Sequence, residues 1–332
     1  MPNYNTLITF FIITLILSFL SFYYFRKKNY YLDKPDHLSV HLENTPTCAG
    51  IIFFVLTCLG LSLFFFFEKE KILSSLPNRY YIFFFSYTIL FVTSLYDDLK
   101  NLNAIYRLLI QIALIFFTIS CININYFDLP LKLSFFIILY LWVYNINVIN
   151  FIDGSDGFLT TYSLKFFISI LFLCIFYKYN ILILYFSVLI IPILISFLFF
   201  NKPRAKLFMG DCGSIQLGFL ISFSCILIWT LGHWNIALSL IAYPFLDCTL
   251  TLLNKIRKGY YPWARLFDYY FLLPIKKNIN NHYFVFKINL IFNILSFLII
   301  ISQIIFDFKY LFIINFLLSS IILIIYKRKA LR

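Results

Sequence analysis

The chain has 332 residues, of which 62% are hydrophobic and only 12% charged, and it carries a formal net charge of +13. That composition lies far outside the range of water-soluble domains and excludes a freely soluble enzyme or binding module. Its seven cysteines are scattered without a CxxC pair, so neither a disulfide framework nor a zinc site is expected.

A membrane-spanning helix needs about 20 mostly apolar residues, and the chain supplies about eleven such runs. They fall near 7–25, 49–67, 79–96, 104–122, 131–149, 158–177, 180–200, 213–231, 236–254, 286–306 and 310–326. The expected fold is an all-α polytopic membrane helix bundle of about 10–11 transmembrane helices, one integral membrane domain over 1–332. The first run, Leu7–Phe25, does not read as a cleavable signal peptide, because its basic residues Arg26, Lys27 and Lys28 follow it. By the positive-inside rule the N-terminus lies outside and Arg26–Lys28 in the cytosol. Carried forward, this topology puts most Lys and Arg residues in inner loops and leaves Lys69, Lys71, Arg79, Lys132, Lys178 and Lys309 outside. Orientation, anionic lipid headgroups and phosphorylated substrates account for the positive charge; no nucleic acid is needed.

The chain has only 14 acidic residues. On this topology Asp33, Asp36, Glu43, Asp97, Asp98, Asp153, Asp156, Asp211, Asp247 and Asp268 all lie in inner loops or near inner helix ends. Acidic residues contribute little to orientation, so this clustering has another cause. A divalent metal with phosphates is the simplest.

Three segments carry the chemistry. Asp97-Asp98, closing the third span, are adjacent carboxylates at a helix C-terminus, which disfavours negative charge. They need a compensating cation, lysine or Mg²⁺; the plainer reading is a solvated helix end. Asn147, Asn150 and Asp153 recur every three residues, near one face of the fifth helix if it continues that far. Gly154 and Gly157 let the backbone turn and approach a ligand, with Asp156 between them. A glycine C-cap alone would not call for two carboxylates and two amides. Asp211, in Phe208-Met-Gly-Asp-Cys-Gly-Ser214, opens the eighth span. It is either an ordinary N-cap or a metal ligand beside amides that meet phosphate oxygens.

Together with Ser39-Val-His41, Thr45-Pro46, Gly50 and Pro244-Phe-Leu-Asp247, these segments resemble the polyprenyl-phosphate N-acetylhexosamine-1-phosphate transferases. That superfamily includes phospho-N-acetylmuramoyl-pentapeptide transferase. The resemblance runs from about Asp33 to the 255–285 loop. It implies a bacterial inner-membrane enzyme with a cytosolic active site. The reaction it implies is transfer of a sugar 1-phosphate from a UDP-N-acetylaminosugar to undecaprenyl phosphate, with release of UMP. It further implies Mg²⁺ (or Mn²⁺) as cofactor, surrounding membrane lipids, and a homodimer as one assembly.

Position by position, the resemblance makes Asp211 the metal ligand and places Asp97 and Asp98 by the lipid phosphate or metal. Asn150 and Asp153 line the diphosphate site, and Asp156 and Phe208 hold the uracil. His41 matches the family's first-loop histidine. Lys206, Arg204 and Arg107 are placed to neutralise phosphate, or simply mark topology. The family's histidine motif in the last large inner loop is absent. Arg265 and Asp268 stand roughly there; either Arg265 contacts phosphate, or the loop serves sugar recognition and has diverged. Pro262-Trp263 looks closer to enzymes that initiate lipopolysaccharide and O-antigen synthesis than to the peptide-carrying branch. The rival readings are a catalytically lapsed homologue, a transporter of lipid-linked sugars and a prenyltransferase.

Overall fold

The computed structural model describes residues 4–28, 31–33, 35, 43–75, 80–120, 130–179, 182–261 and 268–331. Its helices are α1 (Tyr4–Lys28), α2 (Ala49–Ser75), α3 (Tyr80–Lys100), α4 (Ala104–Ile119), α5 (Leu131–Phe151) and α6 (Phe158–Phe176). The second half adds α7 (Leu182–Asn201), α8 (Asp211–Thr230), α9 (Trp234–Arg257), the short α10 (Leu273–Lys277), α11 (His282–Phe306) and α12 (Leu311–Leu331). Among the described residues ten helices are long and apolar enough to cross a membrane, while α4 is apolar but only 16 residues long. The protein is thus an all-α polytopic bundle. The only described strands are the two-residue pieces Leu32–Asp33 and Thr45–Pro46, paired antiparallel.

Uniformly apolar runs make these helices. With no water to satisfy it, backbone inside a bilayer must bond within its own segment. Burial then separates the centre of the bundle from its edge. Helices α7 and α8 are largely enclosed, whereas α1 and α12 keep most of their surface outward. Helix α8 packs against α5, α3, α2 and α9. Phe83 of α3 and Trp142 of α5 meet its Phe219 and Phe223, with ring centroids 4.5–6.0 Å apart. Gly218 lets α5 come close: a Cβ there would lie 2.9 Å from the Ile146 Cα. Because α8 sits centrally, its N-terminus arrives among the ends of α2, α3, α4 and α5.

Helix α9 contains Pro244, which removes the N–H that would have bonded the Leu240 carbonyl one turn earlier. Buried Lys165 of α6 donates from Nζ to that carbonyl at 3.1 Å, and Tyr162 donates from its hydroxyl, also at 3.1 Å. The Lys165 ammonium lies 4.7 Å from the Tyr162 ring centroid. A lysine inside an apolar span is therefore explained by an unsatisfied carbonyl beside it.

Candidate active site

Helix α3 runs past the expected end of its span, so Asp97 and Asp98 lie in its last turn. Asn101, with φ +53°, ends it in a left-handed cap. Asn103 then caps α4, its side chain accepting from the Ile105 N–H. This tight turn brings Arg107 back over Asp97. The buried Asp97 carboxylate accepts from the Leu102 N–H at 2.7 Å and is bridged by Arg107 Nη1. The same Nη1 lies 2.9 Å from Asp211 Oδ2. Arg107 is thus a compensating cation for Asp97, one that the sequence reading of a lysine or Mg²⁺ did not name.

Asp98 finds a different partner. Its two oxygens accept the N–H groups of Asp211 and Cys212, each at 3.0 Å. The first residue outside α8 is Gly210, with no side-chain cap of its own. Asp211 is therefore not the N-cap. Nor are the first amides of α8 open to phosphate: Asp98 occupies them, since a helix N-terminus attracts the nearest anion. Gly210, at φ +75°, makes the turn, and a Cβ there would lie 3.0 Å from Asp98 Oδ2.

Helix α5 ends at Phe151, and a 3₁₀ turn, Ile152–Gly154, carries Asp153. Asn147 and Asn150 therefore lie in the helix and Asp153 beyond it. Asn147 donates to Gln111 Oε1 of α4 at 2.7 Å, and Asn150 Oδ1 accepts from Ser214 Oγ of α8 at 2.7 Å. Asp153 is half-buried and makes no hydrogen bond or ion pair among the described residues. The carboxylates of Asp211, Asp98 and Asp156 are close enough to act on it electrostatically.

Asp156 Oδ2 accepts the N–H groups of Arg204 and Ala205 at 3.0 and 3.1 Å, while Oδ1 lies 3.6 Å from His282 Nδ1. Asn201 ties the two loops together: its Oδ1 accepts from the Gly157 N–H and the Thr160 hydroxyl, and its Nδ2 donates to the Leu207 carbonyl. Phe208 is half-buried, its N–H bonded to the Pro46 carbonyl at 2.8 Å, and the Lys206 side chain is exposed. The buried Cys48 thiol at the start of α2 is pushed up to about 11 by its burial, which leaves it protonated and inert as a nucleophile near neutral pH.

The structure thus gathers Asp97, Asp98, Asn150, Asp153, Asp156, Phe208 and Asp211 at one end of the bundle. His41 and Arg265 lie outside the described residues, as do His37 and Pro262-Trp263. His233 packs with Tyr177 and Tyr179 at the opposite end. Asp268 forms ion pairs with Lys258 and Lys276 at 3.6 and 3.3 Å. Sequence reasoning overlooked Gln111, Asn201 and the position of His282. A polar residue in an apolar helix was the available signal for the first two.

Among the described residues no three His, Cys, Asp or Glu side chains form a ready-made metal cage. The donors present nevertheless suit Mg²⁺. That ion takes hard oxygen ligands and is commonly bound by one or two carboxylates with substrate phosphates and water. Asp153, without a hydrogen-bond partner among the described residues, offers with nearby Asp211 that kind of ligand set.

Residues 80–229 match the pattern of glycosyl transferase family 4, the stretch that contains the acidic turns of α3, the Asp153 turn and α8. The chain is also similar to the phospho-N-acetylmuramoyl-pentapeptide-transferase of Dictyoglomus turgidum, 32% identical over 67% of this chain and 73% of that protein. The chain belongs to glycosyl transferase family 4. Other relatives include a probable undecaprenyl-phosphate N-acetylglucosaminyl 1-phosphate transferase of Bacillus subtilis, 26% identical over 68% of this chain and 64% of that protein. The undecaprenyl-phosphate alpha-N-acetylglucosaminyl 1-phosphate transferase of Thermotoga maritima is 26% identical over 70% of this chain and 68% of its own length. The match therefore spans less than two thirds of the Bacillus relative. Within family 4, the chain resembles members bearing both names.

Proposed function

We propose that this protein transfers an N-acetylaminosugar 1-phosphate from a UDP-sugar to undecaprenyl phosphate at the cytosolic face of a bacterial inner membrane, with the N-terminus outside. The observation that carries this reading is the gathering of Asp97, Asp98, Asp153 and Asp211 at one end of the bundle, with Arg107 bridging Asp97 and Asp211. The names of the family relatives support the same reaction.

In this reading a lipid phosphate oxygen attacks the sugar-bearing phosphorus. The bond to the bridging oxygen breaks, and UMP leaves with that oxygen. A phosphate monoester is largely dianionic at neutral pH because its second pKa is near ~6, so the attacking group needs little deprotonation. The obstacle is repulsion between two anionic substrates. Asp211 and Asp153 would hold Mg²⁺, which would supply charge neutralisation and a template for the phosphates. Arg107, ion-paired with Asp211, adds a positive charge, and its fork geometry suits phosphate oxygens. Asn150, whose side-chain oxygen accepts from Ser214, stands at the same end of the bundle. Asp156, held by the Arg204 and Ala205 amides, belongs with Phe208 to the nucleotide end. The product would initiate a cell-surface glycan of the O-antigen or lipopolysaccharide type.

The deciding experiment is UMP release by the purified chain in detergent, with undecaprenyl phosphate and a panel of UDP-N-acetylaminosugars, with and without Mg²⁺. Lipid- and Mg²⁺-dependent UMP release that Asp211→Ala abolishes is expected. A folded protein that binds UDP-sugar yet releases no UMP from any donor would overturn the reading.

A further inference from the structure

Asp247 lies about 15 Å along α9 from its last residue, Arg257, at 1.5 Å per residue, and is fully buried. No Lys, Arg or His pairs with it among the described residues. Its carboxylate instead accepts four hydrogen bonds. The Tyr243 hydroxyl donates to Oδ2 at 2.8 Å, and the Thr251 hydroxyl to Oδ1 at 3.3 Å. The other two donors are backbone N–H groups from outside α9, Tyr270 to Oδ1 at 2.9 Å and Phe271 to Oδ2 at 3.4 Å. The segment after α9 has therefore doubled back along the helix. Irregular backbone at such depth persists only where its polar groups are satisfied by protein, and the Asp247 carboxylate does this for two consecutive amides.

The segment so held is packed onto the Asp153 turn from both sides. The Tyr269 ring stacks on Phe151, centroids 5.4 Å apart, and Phe271 lies on Phe158 at 4.6 Å. Between them Leu272 covers Gly154, where an added Cβ would sit 3.4 Å from Leu272 Cδ1. Phe151 and Phe158 bracket the 3₁₀ turn, so among the described residues the last large loop packs on the Asp153 turn through Tyr269, Phe271 and Leu272, the stretch that Asp247 anchors. We propose that Asp247 is a positioning residue: without touching substrate, it fixes the Asp153 turn by holding Tyr269–Leu272 against it. This rests on the transferase reading only in giving Asp153 a part in the reaction; the mechanical coupling stands apart from it.

The test is amide hydrogen exchange on the full chain in detergent, read beside UMP-release kinetics. Asp247→Asn keeps the size of the side chain but turns an N–H group toward a donor. It should speed exchange about tenfold or more in both 268–272 and 150–157 while leaving α7 unchanged. It should also lower kcat about tenfold with KM for the UDP-sugar nearly constant, since Asp156 and Phe208 are held elsewhere. Faster exchange in 268–272 alone, or in every helix together, overturns the proposal. If Asp247→Asn does not fold, Tyr243→Phe and Thr251→Val each remove one side-chain donor, and the same paired rise, smaller in size, decides the matter. A wild-type chain that releases no UMP would sink the transferase reading, while the exchange pair would still judge the coupling.

Discussion

The Asp98 carboxylate spans the first two amides of the helix that Asp211 begins, one oxygen on each at 3.0 Å. The negative C-terminal turn of α3 thereby meets the positive N-terminal turn of α8, and Asp98 sets where Asp211 stands. Loss of a capping carboxylate costs about 1–2 kcal/mol. Asp98→Ala should lower the unfolding temperature in detergent accordingly and abolish UMP release. Asp98→Asn, which keeps one acceptor, should recover most of the stability and only part of the activity. Unchanged stability in Asp98→Ala would show that the cap contributes nothing.

Arg107 links Asp97 to Asp211 through one guanidinium nitrogen. Among the described residues, Arg107→Ala leaves the buried Asp97 carboxylate with only the Leu102 N–H, and leaves Asp211 near Asp98 and Asp153 without its ion-pair partner. Removing a positioned charge from such a site typically slows the reaction about 10²-fold or more. Arg107→Lys should fall between, because it keeps the charge and loses the fork. Adding Asp97→Asn to Arg107→Ala should restore thermal stability without restoring the rate. A double variant as unstable as Arg107→Ala alone would deny that the buried carboxylate is what Arg107 neutralises.

Gly50 and Gly213 let α2 and α8 touch. A Cβ on Gly50 would lie 2.4 Å from the Gly213 nitrogen and 2.7 Å from the Met209 carbonyl oxygen, both rigid backbone. Gly50→Ala should cost about 1–3 kcal/mol and reduce activity by displacing the turn at Gly210. Gly154→Ala, whose nearest contact is Leu272 at 3.4 Å, should leave the unfolding temperature nearly unchanged. Equal losses from the two would argue against a special contact at Gly50.

The bundle was legible because a bilayer imposes one rule, apolar runs of sufficient length, and the sequence obeys it from Leu7 onward. The acidic turns were legible because carboxylates are so few here that Asp97, Asp98, Asp153 and Asp211 stood out. Their partners were not. That Asp98 caps α8, that Asn147 pairs with Gln111 and that His282 lies beside Asp156 depend on which helix ends adjoin. No local pattern encodes that. The 3₁₀ turn at Ile152–Gly154 shows the same limit: a period of three placed Asn147, Asn150 and Asp153 near one face, yet the helix ended at Phe151 and left Asp153 outside it.

Lys165 offers a test of how an intramembrane charge is retained. Its ammonium and the Tyr162 hydroxyl converge on the Leu240 carbonyl that Pro244 leaves without a helical donor. Lys165→Met removes one of the two donors and should destabilise the chain, by about 1–3 kcal/mol for an under-satisfied buried group. Pro244→Ala restores the missing N–H, so the helix can bond its own carbonyl. In that background Lys165→Met should cost distinctly less, or even stabilise, because the lysine then only carries a desolvated charge. A double-mutant cycle on unfolding in detergent measures this coupling. Strictly additive effects would mean that Lys165 is held by something other than the carbonyl the proline exposes.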